Sequence, residues 1–158
     1  MHPLAYVVRC LPQLVQRWTL DLTDEEWPKR PRKELHSAQW ILGHLVVTLA
    51  RAAGAATLPS WSSEFRPDAP PSGEQPPLWP HMGQLHKTLT AQAEHLAKLW
   101  TERTEDEWAA PPQDPGKSRA KTSLEAAAFS VLYLSAYAGQ LEILRRLLRK
   151  EESPLSPS

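Results

Sequence analysis

Ser130-Val131-Leu132-Tyr133-Leu134-Ser135-Ala136-Tyr137-Ala138-Gly139-Gln140-Leu141-Glu142-Ile143-Leu144-Arg145-Arg146-Leu147-Leu148-Arg149 is the stretch that decides the fold. Its apolar residues recur every three or four positions, so it reads as helix and not strand. Thr122 followed three residues later by Glu125 is a capping box that opens this helix. The helix is expected to run from about Ser123 to Lys150, roughly 40 Å at 1.5 Å per residue. Leu124, Ala127, Ala128, Val131, Leu134, Ser135, Ala138 and Leu141 form its expected core seam, and Tyr133, Tyr137, Leu144 and Leu148 an adjoining face. Small residues at 126–128 and 135–139 permit close approach of another helix. Arg145, Arg146, Arg149 and Lys150 suit a C-terminus, where cations complement the helix dipole.

A helix this long needs partners, and three further amphipathic segments supply them. Residues 4 to 21 place Leu4, Val7, Val8, Leu11, Leu14, Val15 and Trp18 on one face, with Pro12 predicting a kink or a short first segment. Residues 34 to 56 carry a stripe of Leu35, Ala38, Ile41, Leu42, Leu45, Leu49, Ala52 and Ala53, with Ser37 as a cap for its core. Trp40, His44, Val47, Thr48 and Arg51 make a second, mixed face on it. Residues 78 to 103 align Met82, Leu85, Leu89, Ala93, Leu96 and Trp100, with Pro80 in the first turn. The spacing therefore predicts an all-α four-helix bundle in one domain, 1–152, with a flexible tail at 153–158 and a long Pro-rich crossover, 57–77, between the second and third helices.

Two turns look alike. Leu22-Thr23-Asp24-Glu25-Glu26-Trp27 follows the first helix and Arg103-Thr104-Glu105-Asp106-Glu107-Trp108 follows the third. Each combines a capping box with a tryptophan and a following proline. They read either as two related hairpins in a pseudo-symmetric bundle or as a good local turn used twice.

Composition bounds the function. Eighteen Lys and Arg balance eighteen Asp and Glu, so a nucleic-acid partner is not expected. The single Cys10 rules out an intrachain disulfide and a cysteine zinc cluster, and its apolar neighbours suggest an inert buried thiol. Met1-His2-Pro3-Leu4 lacks a basic stretch before an apolar run, and no apolar run approaches the ~20 residues of a membrane span. A soluble, cytoplasmic protein without a membrane partner is expected. Seven tryptophans must be buried or used at an interface; Trp61 and Trp79, in or beside the crossover, suggest a ligand lid or a dimer surface.

Two segments are similar to the DinB-like superfamily of helical-bundle metalloenzymes and thiol-dependent S-transferases. Ser37-Ala38-Gln39-Trp40-Ile41-Leu42-Gly43-His44-Leu45 resembles the family's second helix, whose His-Leu supplies the first metal ligand. Tyr133-x-x-x-Tyr137-x-Gly139-Gln140 resembles its fourth-helix pattern, which has histidines where Tyr133 and Tyr137 stand. The Leu-Thr-Asp-Glu-Glu-Trp turn is also a habit of the family. The resemblance implies a four-helix bundle, a divalent metal and a low-molecular-weight thiol as cofactors, and a homodimer.

The residues at those positions depart from that chemistry. A phenol, with a pKa near 10, is a poor ligand for zinc or nickel. His44 is then the one retained ligand position, and no metal is expected to bind. His44, Tyr133 and Tyr137 remain the candidate catalytic residues, and Trp40, His44, Thr48, Tyr133, Tyr137 and Gln140 the candidate pocket lining. The other histidines lack a spacing that stacks two imidazoles on one helical turn. Two functions compete. One is a binding or stress-associated protein holding an apolar small molecule near His44. The alternative is a thiol S-transferase acting on electrophiles with weak metal or none.

Overall fold

Four free N–H groups begin every helix, and the chain meets that need with side chains at nearly every start. The computed structural model describes residues 2–54, 58, 60–65, 79–113 and 119–148. Helix α1 covers Pro3–Thr19, α2 Ala38–Ala52, α3 Met82–Glu102, α4 Glu105–Ala109 and α5 Ser123–Leu147, with a 3-10 turn at Ser60–Phe65. His2 Nδ1 accepts from Leu4 N at 3.2 Å, Ser37 Oγ from Trp40 N at 3.2 Å, and Thr122 Oγ1 from Glu125 N at 3.2 Å. Thr104 and Glu107 close a full capping box over α4.

Several expected boundaries move. Because Ser37 caps α2, Leu35 and His36 lie ahead of the helix and not within it. Pro80 also precedes α3: it is buried, and its carbonyl accepts from Gln39 Nε2 at 3.0 Å. Tertiary hydrogen bonding thus holds Pro80 in place, and α3 starts at Met82. Pro12 neither splits α1 nor ends it. The expected tail and most of the crossover lie outside the described residues.

The four long helices form an all-α bundle in which α1 and α2 are diagonal, as are α3 and α5; α1 packs on α3 and α5, and α2 packs on the same two. Sequence neighbours are therefore not packed as hairpins. Side-chain pairings fix the directions. Arg145 holds Asp21 through two bonds, 2.9 and 2.8 Å, joining the C-terminal ends of α1 and α5. Trp40 meets Tyr137 and His44 meets Tyr133, so α5 runs antiparallel to α2. Gln39 reaches Pro80, so α2 and α3 run parallel, which is why a long return connection joins them.

The two Thr-acid-Trp turns occupy opposite ends of the bundle. Trp27 is buried with His86 of α3 edge-on at 5.7 Å, and Trp108 is buried with His2 ahead of α1 stacked at 4.5 Å. Exchanging α1 with α3 and α2 with α5 maps one arrangement onto the other, which favours the pseudo-symmetric reading. Trp18, Trp27, Trp40, Trp100 and Trp108 are core residues.

Helix α5 buries less than its pattern implies. Ala127, Leu134, Ala138, Leu141 and Leu144 are buried, whereas Leu124 and Ser135, expected in the seam, are exposed. By length and composition this helix is apolar enough to cross a membrane, contrary to the sequence expectation, yet 28% of its most apolar window is buried.

Candidate functional site

Positions four apart on a helix lie above one another, and α2 uses this to build a column of flat rings. The Trp40 indole stacks on the His44 imidazole at 4.9 Å and 7°. His36, just ahead of the helix, covers the other indole face at 3.5 Å and 11°. Across the groove α5 presents Tyr133 and Tyr137, also four apart. Tyr137 lies 4.3 Å from the His44 ring, Tyr133 lies 5.6 Å from it, and the two tyrosines are 4.8 Å apart.

The third wall is the 3-10 turn. Trp40 Nε1 donates to the Glu64 carbonyl at 2.9 Å, and His44 Nδ1 lies 2.6 Å from the Phe65 carbonyl. The Phe65 ring is fully buried over Gly43, where a Cβ would overlap it. Glycine in mid-helix, ordinarily unfavourable, is required here by this close approach. Trp61 and Trp79 are half-buried and pack on Phe65 at 5.4 and 4.9 Å, so they brace the turn and do not stand exposed.

These bonds fix the state of His44. A carbonyl only accepts, so Nδ1 carries the proton and donates to Phe65. In neutral imidazole Nε2 is then an acceptor, and the Tyr133 hydroxyl, 2.9 Å away, donates to it. Burial lowers the His44 pKa below its usual 6.5, opposed by the Phe65 hydrogen bond and reinforced by the Arg51 cation. Burial, the adjacent Tyr137 hydroxyl and the Tyr137 charge push Tyr133 above the ordinary phenol range. His36 is pushed down to about 4 by burial, with His44 and Arg30 adding to the shift. At neutral pH the imidazoles of His36 and His44 and the phenol of Tyr133 are therefore uncharged.

Charge enters from one side. Arg51, two turns beyond His44, acts on both His44 and Tyr133. It lines a cleft of about 590 Å³ together with Trp100, Arg103, Gln113, Ser123 and Ser130. Among the described residues two guanidinium groups line this space, and Glu102 and Glu107 line the adjoining cleft that shares Arg103 and Gln113 with it.

Of the residues singled out in the sequence, Trp40, His44, Tyr133 and Tyr137 come together. Thr48 and Gln140 are half-buried and, among the described residues, make no hydrogen bond to the cluster. Cys10 is half-buried on the far side of α5, in a groove with Tyr6 and Leu14, and is not the buried thiol expected. His86 and His2 pack on tryptophans, while His81 and His95 are exposed. Sequence reasoning missed Phe65, Gly43 and His36 as site residues, and placed Arg51 on the mixed face with Trp40 and His44 without assigning it to the site. An isolated glycine inside a helical pattern was the available signal for Gly43; nothing local marks Phe65 as its partner.

The family model of the DinB superfamily matches residues 10–133, from within α1 to Tyr133 itself, so that Tyr137, Gly139 and Gln140 lie just past its end. No curated protein and no solved structure matches significantly. With the match covering most of the sequence and an all-α bundle beneath it, the chain belongs to the DinB superfamily.

Proposed function

We propose that this chain is a metal-free, small-molecule-binding member of its superfamily, soluble and cytoplasmic, whose ligand enters by the Arg51 cleft and meets the His44–Tyr133–Tyr137 cluster. One observation carries this reading: the Nε2 lone pair of His44, the atom that would face a metal, accepts the Tyr133 hydroxyl proton.

A catalytic divalent centre needs three donors around an open position. Here one imidazole has both nitrogens engaged. The remaining donors are phenols, and that of Tyr133 is harder to ionise than usual. Among the described residues no three His, Cys, Asp or Glu side chains gather. This donor set does not fit a divalent cation, and no step is routed through one.

What the cluster does offer is hydrogen bonding against a flat apolar wall. The Tyr133 hydroxyl can turn from His44 to a ligand, leaving Nε2 to accept a ligand proton. Arg51, which forms no ion pair among the described residues, and the Arg103 guanidinium, which sits 5.0 Å over Trp108, favour a negatively charged ligand over the apolar one expected from sequence. A cleft of this size and mixed lining suits a small molecule. No geometry favours the thiol-transferase alternative, because a phenol held above its ordinary pKa is a poor thiol activator at neutral pH.

Metal analysis of untagged protein tests the reading directly. Wild type is expected to carry far less than one equivalent, while the double variant Tyr133→His and Tyr137→His gains zinc or nickel by calorimetry. Stoichiometric metal in wild type would overturn the proposal. A thermal-shift panel of small carboxylates and phosphates tests the ligand, with stabilisation expected in wild type and lost in Arg51→Ala; a panel that shifts nothing rejects the anionic ligand.

A further inference from the structure

The Arg51 cleft does not end at Arg103. A second cleft of about 330 Å³ adjoins it, and the two share Ala52, Gly54, Trp100, Arg103 and Gln113. Together they form one trough whose ends differ in charge. Arg51 lines only the larger part, and Glu102 and Glu107 line only the smaller. Arg103 stands between them, its guanidinium over the Trp108 ring. Among the described residues the trough therefore carries two cations and two anions, with the cations toward one end. The helix ends have the same polarity. The first turn of α5, a positive pole, borders the larger cleft at Ser123, and the last turn of α3, a negative pole, borders the smaller at Leu99 and Glu102.

Both carboxylates have capacity to spare. Glu107 closes the capping box of α4 with one oxygen: Oε2 accepts from Thr104 N at 2.7 Å and from Thr104 Oγ1 at 3.0 Å, which leaves Oε1 for a ligand. The same two bonds hold its carboxyl below the ordinary carboxylate range, so it is ionised at neutral pH. Glu102 has a loose partner in Lys98, one turn back at 3.9 Å. Between the charged ends the lining suits neutral polar groups. Gly54, at φ 72°, turns the chain away after α2 without a side chain, and the Gln113 Oε1 lies 3.8 Å from where a Cβ would stand. The Gln113 amide can donate and accept. Ser130 gives its proton to the Ala126 carbonyl at 2.9 Å and keeps lone pairs to accept. The buried Trp100 supplies an apolar floor.

We propose that this trough binds a short zwitterionic peptide of about three residues, its C-terminal carboxylate on Arg51 and Arg103 and its N-terminal ammonium on Glu107 and Glu102. The proposal rests on the reading of the Arg51 cleft as a small-molecule site and adds a cationic end to the anionic ligand. Length sets the size of the ligand. Adjoining spheres of these volumes have centres about 9–10 Å apart, and an extended chain covers about 3.3–3.6 Å per residue, so three residues reach from one to the other. A single amino acid holds its two charges within about 4 Å and satisfies one end only. Charge sets its class. A ligand with a carboxylate alone leaves Glu102 and Glu107 without a counterpart, and one with an ammonium alone meets the two arginines. A dipolar chain agrees with both ends, and its peptide groups supply the donors and acceptors that Gln113 and Ser130 can meet.

NMR titration of the full chain with four alanine tripeptides tests this: one free, one N-acetylated, one amidated at the C-terminus and one blocked at both ends. The free peptide is expected to bind most tightly. Acetylation should weaken binding by about threefold or more and amidation by about fivefold or more, because an exposed ion pair contributes little and an arginine–carboxylate pair more. Glu107→Gln should remove most of the acetylation penalty and leave the amidation penalty in place; Arg51→Gln should do the reverse. Glutamine at 107 can still close the capping box and Arg51 is exposed, so both variants should keep the wild-type circular dichroism. An acetylated peptide that binds as tightly as the free one overturns the inference and leaves the anionic ligand of the Arg51 cleft standing. An amide that binds as tightly as the free acid overturns the inference and counts against that reading as well. If none of the four binds, or if neither penalty moves in the variants, the inference fails, and the panel of carboxylates and phosphates decides the Arg51 reading separately.

Discussion

Helices α2 and α5 are both predominantly apolar, and they end up in opposite situations. Twelve of the fifteen residues of α2 are buried, against five of the twenty-five of α5. The difference lies in their neighbours. Helix α2 has α3 and α5 on two sides and the Ser60–Phe65 turn on a third, whereas α5 meets α1, α2 and the short α4. Apolar content alone thus does not tell a central helix from a peripheral one. The contrast also shapes the site. His44 and Trp40 come from the enclosed helix and have their polar atoms bonded inside. Tyr133 comes from the open helix and is 37% exposed, so the cluster meets solvent through α5.

The strongest way to break this contrast is to take away the third wall. Phe65→Ala empties fully buried space over Gly43 and is expected to cost about 3–5 kcal/mol, read from urea denaturation. A loss under about 1 kcal/mol would mean that the turn does not cover α2 in solution. Gly43→Ala approaches the same contact from the other side. Its methyl overlaps the Phe65 ring, and overpacking of this kind costs about 1–3 kcal/mol. Both substitutions act on one space, so Gly43→Ala should cost little in the Phe65→Ala background; additive losses would show that the two residues do not touch.

How much of this was legible in the sequence follows from the range of each force. The long helices and the caps at Ser37, Thr104 and Thr122 are set by periodicity and by groups within four residues, and they could be read directly. The grouping of His44 with Tyr133 and Tyr137 came instead from the resemblance to the family's ligand positions, because periodicity does not say which helix faces meet. The start of α3 could not be read directly, because Gln39, forty-one residues away, holds the Pro80 carbonyl. Phe65 was hidden for the same reason: its position depends on a vacancy at Gly43. The partial exposure of α5 was invisible for a different reason. A helix apolar on every side gives no periodic signal to say which side is covered.

The enclosed side should also respond to pH. His36, His44 and His86 all titrate below the 6.5 of a free imidazole, burial being the largest cause in each. Below pH 6.5 the unfolded chain binds more protons than the folded one, so stability is flat above about pH 7 and falls as the pH drops from 6.5 toward the folded values, about 4 for His36. His44 is enclosed, but His36 and His86 are half-buried and water screens their share, so the total is on the order of 1 kcal/mol. Denaturation midpoints from pH 8 to 5 measure it; stability that rises on acidification would mean that the rings fold protonated. Tyr133→Phe isolates one contributor. It removes the donor to His44 Nε2, costs about 1 kcal/mol, and moves the His44 titration up toward the ordinary imidazole range because the bond favours the neutral ring. Proton shifts of the imidazole follow this, and an unmoved titration would deny the bond.

The smallest effect sharpens the open side. Glycine in a helix interior is less stable than alanine by roughly 0.5–1 kcal/mol, and a Cβ at Gly139 meets nothing within 4 Å among the described residues. In dilute protein, where the chain is alone, Gly139→Ala should therefore raise stability by that amount. At Gly43, where the Phe65 ring fills the space, the same substitution has the opposite sign. Melting curves of wild type, Gly139→Ala and Gly43→Ala in dilute solution therefore read both halves of the contrast: a gain at Gly139 beside a loss at Gly43 describes one open helix face and one covered one, and a loss at Gly139 would show that its face is covered.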